Sequence, residues 1–548
     1  MKLNVKLALL IIIVLSFFLR FYKVTEDPPS LNWDEVSIGY NAYSILKTGK
    51  DEWGQFLPVH FKSYGEYKLP VQIYGSIPGI TLFGLNPMGI RITPVIYGTL
   101  TILALYLLAK AMFDNEIFAL SSAFLLAISP WHIQLTRASF ESSFSLLWVI
   151  LGLSLFLKGI ISKKLYIVLS AFPFALAVYT YNSARVFTPL FILVLLIIFR
   201  RQLLNVKKYA IYFCLLFGVL MLPAVPFVLS GAGSARYKLV SVANDAGLIP
   251  RINENRGNSK LPGPLPKLIH NRVTYLAFYY SQNYLAHFTP DFLFINGAPH
   301  KQHHVQGVGQ MYLFQLPLCL VGLFFLFKNK FKYRWVVINW ILLGIIPVAT
   351  TNDSIPHALR TLIVAPAYEL ICAYGAYIIG SKLNKKYLPI SLLISTLIIL
   401  ISVGIYLNNF YNIYPKLYSR DWQYGNKQVA EYIQKNYDKY DLIVYSRTYG
   451  EPHMFTLFYL NYDPAKFQKN PNLVRFETFN WVRVLNFDKF YFPDLGDEGT
   501  RFSDIVNQNP RKRILFIGKP GDFPANQPII YKVNFLNGNE AFDLTEVP

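Results

Sequence analysis

Long apolar segments, separated by short basic stretches, dominate the first 408 residues of the chain. The first runs from Leu7 to Leu19 and is closed by Arg20 and Lys23. Ten further apolar segments follow, at residues 91–113, 117–129, 142–161, 165–181, 185–200, 208–230, 309–328, 333–349, 359–380 and 387–408. A helix of about 20 apolar residues crosses the hydrocarbon core of a bilayer. The pattern therefore predicts a polytopic α-helical membrane protein with about 11 transmembrane helices.

The distribution of positive charge gives this arrangement a direction. Alternate connections carry the basic residues, namely Lys110; Lys158, Lys163 and Lys164; Arg200, Arg201, Lys207 and Lys208; Lys328, Lys330, Lys332 and Arg334; Lys382, Lys385 and Lys386. Basic connections face the cytoplasm, so the outer side receives residues 21–90, 130–141, 231–308 and 350–358. The stretch 69–84 is interpreted as an interfacial helix, because counting it as a full span would invert every later loop. We expect a multi-pass protein of the cytoplasmic membrane.

The residues after the last apolar segment have a different character. The tail alternates a polar helical run, a strand-like run, an aromatic stretch and two β-rich pieces, at 428–437, 441–446, 455–462, 513–518 and 529–535. This mixture is typical of a small α/β domain. We therefore divide the chain into a membrane catalytic domain, 1–408, and an extracytoplasmic cap domain, 409–548. The first and the large outer loops, 21–90 and 231–308, belong to the former, and residues 244–268 are interpreted as a mobile loop.

Composition excludes several classes of protein. Apolar residues make up 53% of the chain and charged residues only 15%, which argues against a soluble multidomain enzyme. The net charge of +21 resides largely at the ends of apolar segments, where membrane topology explains it better than nucleic acid does. Cys214, Cys319 and Cys372 all lie inside apolar segments. They form neither a disulfide framework nor a zinc-ligand spacing.

Two carboxylates begin the first outer loop, in the sequence Leu31-Asn32-Trp33-Asp34-Glu35. An Asp beside aromatic residues at a membrane interface is well placed to act as a base. The alternative is that Asp34 only caps a surface helix, because Asp is a favoured N-cap residue. Glu35 has three possible roles: orienting Asp34, binding the acceptor, or pairing with a lysine of the same loop.

The second outer connection contains Arg137 and Glu141, four residues apart. This spacing predicts that both lie on one helix face at the mouth of a membrane span, where an isolated charge is costly. A structural ion pair and a functional pair both explain them.

Several motifs taken together resemble the GT-C membrane glycosyltransferases. They are Asp34-Glu35 after the first membrane helix, Tyr67-Lys68-Leu69-Pro70, Arg91-Ile92-Thr93-Pro94 at the start of the next span, and the Arg137-to-Glu141 connection. Their order and membrane side are similar to those of the branch that contains protein O-mannosyltransferases and the lipid A aminoarabinose transferase. Later stretches, at 179–185, 287–291 and 356–360, look like bacterial relatives of this group.

The resemblance implies transfer of a sugar, with inversion, from a polyprenyl-phosphate donor to a protein, glycolipid or polysaccharide acceptor. Asp34 matches the family's catalytic carboxylate, and Glu141 falls at its second carboxylate. Lys68 matches the basic residue that meets the donor phosphate, although Leu69 replaces the first proline of the family's motif. The sequence does not require a divalent metal or any other cofactor.

This chemistry needs a carboxylate for the acceptor proton and cations for the departing phosphate. Candidate cations at helix ends on the outer side are Lys68, Arg137, Arg185, His357 and Arg360. Arg185 has an alternative role as an interfacial anchor held by a cation–π contact. The alternative role of Arg360 and His357 is a local ion pair with Asp353.

Three other features have two interpretations each. The histidines at 300, 303 and 304 suggest a metal site, but a solvated loop explains them without one. Glu369, inside a span, is expected to make a structural hydrogen bond with a Tyr or Ser of another helix. The aromatic residues of the tail, Trp422, Tyr424, Tyr459, Tyr462 and Trp481, suit either a core or a sugar-binding surface.

For the whole chain, the rival functions are a lipid-linked sugar transporter and a non-catalytic membrane binding protein. Transporters usually contain internal repeats and broken helices at mid-membrane. This chain instead has its charged motif residues in the predicted outer loops, which favours an enzyme over a transporter.

Overall fold

The computed structural model describes residues 4–478, 481–496 and 499–548. The first three residues of the predicted membrane domain therefore lie outside the described residues. The chain divides into two compact units. One contains Met1–Tyr22, Pro94–Thr136 and Phe140–Leu407, and the other contains Lys23–Thr93, Arg137–Ser139 and Asn408–Pro548.

The first unit is helical. Its α-helices, two of which extend a few residues beyond it, are Val5–Phe21, Pro87–Phe113, Glu116–Ile128, Pro130–Leu135, Glu141–Ile161, Leu165–Leu169, Ala171–Val178, Asn182–Ile198, Arg200–Leu204, Lys207–Met221, Val225–Leu229, Ala235–Val240, Leu248–Gly257, Leu265–Ile269, Arg272–Ala286, Gln315–Lys328, Arg334–Ala349, Ala358–Thr361, Ala365–Lys382 and Leu388–Asn408. Among the described residues, five helices are long and apolar enough to cross a membrane, and five further apolar helices are shorter. Each predicted apolar segment contains helix, although in 309–328 the helix begins only at Gln315. The number of crossings stays a prediction.

Small residues let two of these helices pack closely. Gly322 of Gln315–Lys328 faces Gly375 and Ile371 of Ala365–Lys382, and a Cβ at Gly322 would collide with the carbonyl oxygen of Ile371. Helices that lack a hydrophobic driving force between them associate through such close contacts. This packing is the kind expected of a membrane bundle.

The second unit contains a sheet and seven α-helices within its described residues. The helices are Trp33–Thr48, Pro70–Phe83, Tyr414–Tyr418, Asn426–Lys435, Pro452–Tyr459, Pro464–Gln468 and Phe502–Gln508. The strands are β1 Phe61–Lys62, β2 Tyr67–Lys68, β3 Leu442–Tyr445, β4 Val474–Thr478, β5 Trp481–Phe487, β6 Phe490–Tyr491, β7 Ile514–Gly518, β8 Tyr531–Asn534 and β9 Glu540–Val547. β1 and β2 form a separate hairpin, and the others form one sheet in the order β4-β5-β6-β3-β7-β9-β8. Among the described strands of this sheet, the parallel pairs are β3 with β6 and β3 with β7.

One hydrophobic core joins the first outer loop to the tail within this unit. Val36 and Ile38 of the helix Trp33–Thr48 belong to the same buried cluster as Phe458 and Leu515 of the tail. Gly39 permits the close approach, because a Cβ there would lie 2.6 Å from the Phe458 ring. The tail thus holds the helix that carries Asp34.

The structure confirms a helical protein with a C-terminal sheet domain. The predicted interfacial stretch 69–84 is the helix Pro70–Phe83, although its position at a membrane surface stays a prediction. The interpretation of 244–268 as a loop is wrong, because the helix Leu248–Gly257 lies in it. The division at residue 408 was drawn by membrane side and also stays a prediction.

Candidate active site

Asp34 lies in the first turn of the helix Trp33–Thr48, but it does not cap that helix. Asn32 is the N-cap residue, and its side chain accepts a hydrogen bond from the backbone N–H of Glu35. The Glu35 carboxylate accepts one from the N–H of Asn32 in return, which completes a capping box. The alternative explanation of Asp34 as a cap is therefore wrong, and its carboxylate is available for another role.

Asp34 is paired with Lys68. The Lys68 Nζ atom lies 2.6 Å from Oδ1 of Asp34, and the Lys68 side chain is 3% exposed while that of Asp34 is 35% exposed. The β1–β2 hairpin fixes Lys68, because Phe61 pairs with Lys68 across it. A buried ammonium thus orients a carboxylate that solvent can reach.

Glu35 is buried against Arg91. Nε and Nη2 of Arg91 donate to Oε1 and Oε2 of Glu35, each at a distance of 2.9 Å. Both side chains are 0% exposed. The backbone N–H of Ser139 also donates to Oε1. The expected lysine partner is wrong, since Arg91 takes that place. This environment favours a positioning role for Glu35 over contact with substrate.

Arg91 also ties down the chain that leads to Asp34. It donates to the carbonyl oxygens of Val24, Pro28 and Ser30, at 3.0, 2.8 and 2.5 Å. Its role was missed from sequence, although Arg91 stands in one of the motifs. The available signal was a lone arginine at the start of an apolar helix, where an unpaired charge is costly.

Arg137 is buried in the second unit and does not share a helix with Glu141. One helix ends at Leu135 and the next begins at Glu141, so the predicted common helix face is wrong. Arg137 donates to the carbonyl oxygen of Asp27 and to the hydroxyl of Tyr411. Its guanidinium also lies 4.9 Å from the centroid of the Phe410 ring. Burial raises the pKa of the Asp27 carboxyl to about 6, although the Arg137 charge lowers it.

The remaining predicted residues belong to the first unit. Glu141 is the first residue of the helix Glu141–Ile161, where a negative charge suits the helix dipole. The Arg185 guanidinium lies 4.7 Å from the centroid of the Phe227 ring and donates to the carbonyl oxygen of Gly233. This is the cation–π contact that the anchor role requires. A catalytic role for Glu141 and binding of the donor phosphate by Arg185 stay predictions.

Arg360 pairs with Asp353, as one of the two interpretations expected. Arg360 donates to Oδ2 of Asp353 and to the Thr351 hydroxyl, each at a distance of 2.8 Å. His357 caps the following helix, with its Nδ1 accepting from the Arg360 backbone N–H. Burial, reinforced by the Arg360 charge, lowers the pKa of His357 well below 6.5. His357 is thus neutral near pH 7, whereas the prediction treated it as a cation.

Three histidines of the first unit stack without forming a metal centre. The rings of His300 and His303 lie 3.7 Å apart, and that of His357 lies 5.0 Å from His303. His304 is separate, with its Nδ1 near Nε2 of Gln310. Across the described residues, no group of three or more His, Cys, Asp or Glu side chains is arranged to hold a metal ion.

Glu369 is hydrogen-bonded to a side chain of another helix. Nε2 of Gln315 donates to Oε2 of Glu369 at a distance of 2.6 Å. The side chain of Ser129 also interacts with Glu369.

The aromatic residues of the tail divide between core and surface. Trp422 is buried and donates to the Tyr414 hydroxyl, whereas Trp481 is only partly buried. In the second unit the structure gathers Asp34, Glu35, Lys68 and Arg137. Glu141, Arg185, His357 and Arg360 belong to the first unit.

Comparison with known proteins agrees with this fold and these motifs. Residues 76–227 match the family model of dolichyl-phosphate-mannose-protein mannosyltransferases. No curated protein matches the chain by sequence.

Two solved structures show the same fold. ArnT from Cupriavidus metallidurans bound to undecaprenyl phosphate is 12% identical, with a TM-score of 0.53 over 99% of this chain and 97% of that one. The Archaeoglobus fulgidus oligosaccharyltransferase, tethered with an acceptor peptide containing the NVT sequon, is 17% identical, with a TM-score of 0.50 over 87% of this chain. This chain spans only 61% of the length of that protein.

The chain therefore has the GT-C fold of these two solved structures, with a C-terminal sheet domain. Residues 76–227 are in addition similar to the protein mannosyltransferase family, one of the groups that its motifs resemble.

Proposed function

We propose that this chain is an inverting glycosyltransferase of the cytoplasmic membrane. It moves a sugar from a polyprenyl-phosphate donor to an acceptor hydroxyl at the outer membrane face. The observation that carries the proposal is the Asp34–Lys68 pair, a partly exposed carboxylate held by a buried ammonium at 2.6 Å.

The comparisons support the same chemistry. The matching family model is that of mannosyltransferases that use dolichyl-phosphate mannose. Two structures of the same fold contain a polyprenyl phosphate: ArnT with undecaprenyl phosphate, and the archaeal oligosaccharyltransferase AglB with dolichol-phosphate and an inhibitory peptide. A lipid-linked sugar phosphate is therefore the donor we propose for this chain.

In the proposed reaction, Asp34 takes the proton of the acceptor hydroxyl. The acceptor oxygen forms a bond to the anomeric carbon from the face opposite the phosphate, which inverts the configuration. The bond between that carbon and the phosphate oxygen breaks, and polyprenyl phosphate leaves with the electron pair. Because phosphate departs as a stable anion, no general acid is needed, and the protein supplies a base and positive charge.

The residues around Asp34 have separate parts in this scheme. Lys68 holds Oδ1 of Asp34 and leaves Oδ2 for the acceptor hydroxyl, while its charge favours the nearby donor phosphate. Glu35 and Arg91 act as positioning residues. We propose Arg137, Arg185 and Arg360 as further groups for the phosphate, and Glu141 as the second carboxylate.

Release of polyprenyl phosphate tests the proposal. The purified protein is incubated in detergent with a panel of polyprenyl-phosphate sugars and acceptors. Asp34→Asn should lower turnover by about 10²–10⁴, as expected for loss of a general base, while the protein stays folded. Asp504→Asn is the matched control, because Asp504 is an exposed carboxylate in the first turn of the helix Phe502–Gln508.

Two outcomes would contradict the proposal. A fully active Asp34→Asn protein would remove the base from the scheme. Movement of lipid-linked sugar across vesicles without release of polyprenyl phosphate would identify a transporter instead.

A further inference from the structure

Three aromatic rings meet next to Asp34 in the second unit. Trp33 directly precedes Asp34, and its ring lies 6.1 Å from Tyr64 and 6.0 Å from Trp481 between centroids. Tyr64 and Trp481 are stacked, with 5.8 Å between centroids and 14° between planes. We name Trp33, Tyr64 and Trp481 the aromatic trio. Trp33 and Trp481 are only partly buried, so the trio presents ring surface beside the proposed base.

The backbone fixes the trio. The N–H of Val482 donates to the carbonyl oxygen of Tyr64, and the Tyr64 hydroxyl donates to the carbonyl oxygen of Trp33. Gly450, with φ of +121°, lets a loop of the tail approach closely, because a Cβ there would lie 2.6 Å from the Trp33 ring. These contacts argue for a rigid surface.

A buried carboxylate with unused hydrogen-bonding capacity contacts the trio at Trp481, and the charge of Arg447 acts on that carboxylate. Trp481 Nε1 donates to Oε1 of Glu451 at a distance of 2.6 Å, and Glu451 is 4% exposed. Oε2 of Glu451 lies 3.4 Å from Nδ1 of His453, outside hydrogen-bond geometry. Nη2 of Arg447 pairs with Asp494. Within the described part of the chain, neither Glu451 Oε2 nor the Nε and Nη1 atoms of Arg447 have a hydrogen-bond partner.

Electrostatics links these groups to one another and to Asp34. Burial raises the pKa of the Glu451 carboxyl, which the Arg447 guanidinium lowers in part. Burial also raises the pKa of Tyr64 well above 10, and the charges of Glu451 and Asp34 raise it further. Burying unpaired polar atoms is costly, so such atoms in contact with partly exposed aromatic rings suggest a ligand.

We infer that the aromatic trio with Glu451 and Arg447 binds the sugar ring of a carbohydrate acceptor. A sugar ring has an apolar C–H face that fits an aromatic ring, and hydroxyls at its edge. A carboxylate accepts from those hydroxyls and a guanidinium donates to them. A Ser or Thr side chain offers one hydroxyl and no comparable face, so the arrangement favours a carbohydrate over a peptide. This inference rests on the proposed function and names its acceptor class.

Binding without turnover tests the inference. The full chain in detergent is titrated by saturation-transfer NMR with linear trisaccharides of glucose, mannose, galactose and N-acetylglucosamine, and with a Ser/Thr-containing hexapeptide. At least one trisaccharide should bind saturably. Trp481→Leu and Glu451→Gln should each weaken that binding by about tenfold, as expected for loss of one stacking or charged contact.

Trp53→Leu is the matched control, because Trp53 is a partly buried tryptophan of the same unit outside the trio. It should leave trisaccharide binding unchanged. Trp481→Phe keeps a smaller aromatic face and loses the Nε1–H, so it should bind better than Trp481→Leu. If Trp481→Leu does not fold, Trp481→Phe and Glu451→Gln are compared with wild type instead.

Three results would overturn the inference: no trisaccharide binds, the trio and Glu451 variants bind as well as wild type, or only the peptide binds and does so through Trp481. The proposed function fails separately, in the release assay with Asp34→Asn. Sugar binding that depends on the trio would then still be measurable, because it requires no turnover.

Discussion

The buried pair of Glu35 and Arg91 should control the stability of the second unit. Replacing Glu35 with Gln keeps the size of the side chain and removes its charge. In the native structure the carboxylate accepts from Nε and Nη2 of Arg91 and from the backbone N–H groups of Asn32 and Ser139. The amide that replaces this carboxylate offers only one oxygen, while its NH₂ group faces donors.

The size of the effect follows from burial. Both side chains are 0% exposed, so Glu35→Gln leaves the Arg91 charge without a counter-ion away from water. Breaking such a pair costs about 3–5 kcal/mol. For a folded unit of about 200 residues, this lowers the melting temperature by about 6–20 °C.

Thermal unfolding in detergent, followed by tryptophan fluorescence, measures this shift. Glu477→Gln is the matched control, because it removes a Glu–Lys pair of the same unit whose Glu side chain is 62% exposed. Surface pairs contribute about 0–1 kcal/mol, so this control should melt close to wild type. If Glu35→Gln melts within about 2 °C of Glu477→Gln, which is the shift expected for less than 1 kcal/mol, the reasoning about the buried pair is wrong.

Three further predictions concern protonation, the pair at the proposed base, and topology. Burial raises the pKa of Glu52 from 4.5 to about 7. Its contribution to stability is therefore present below about pH 4.5 and falls by about 3 kcal/mol as pH rises through 7. Glu52→Gln should flatten this fall in melting experiments between pH 5 and 8, and an unchanged slope would contradict the prediction. Lys68→Ala should lower turnover by about 10- to 100-fold through loss of the charged contact to Asp34, and Lys68→Arg should recover part of it. Equal turnover in the wild type and both variants would exclude a role for the Asp34–Lys68 pair in the reaction. An alkaline phosphatase reporter fused after Pro548 should be active outside the cytoplasm, and a cytoplasmic signal would mean that the span count is wrong by an odd number.

The amino-acid sequence by itself determined the helical framework. A membrane helix must satisfy its backbone internally and present apolar side chains along its length. Both properties are local, so segments such as 142–161 and 387–408 coincide with observed helices. Strand-forming pieces of the tail were recognisable for the same reason, as 513–518 shows.

Sequence also pointed to individual residues of the candidate site, but not to their partners. Asp34 and Lys68 were named from motifs, yet their ion pair joins residues 34 positions apart. Arg91 stood in a motif without a role until the fold placed it on Glu35, 56 positions away. The supposed helix through Arg137 and Glu141 failed because the chain leaves helical geometry after Leu135 and returns to it only at Glu141.

Only the tertiary structure decided which distant segments meet. The strand order β4-β5-β6-β3-β7-β9-β8 follows from packing between elements, which no local pattern encodes. The same packing brings Trp481 of the tail beside Trp33 of the first outer loop. A residue's chemistry depends on its burial and its neighbours, so the different environments of Asp34 and Glu35, adjacent in sequence, come from the contacts that each makes in the folded unit.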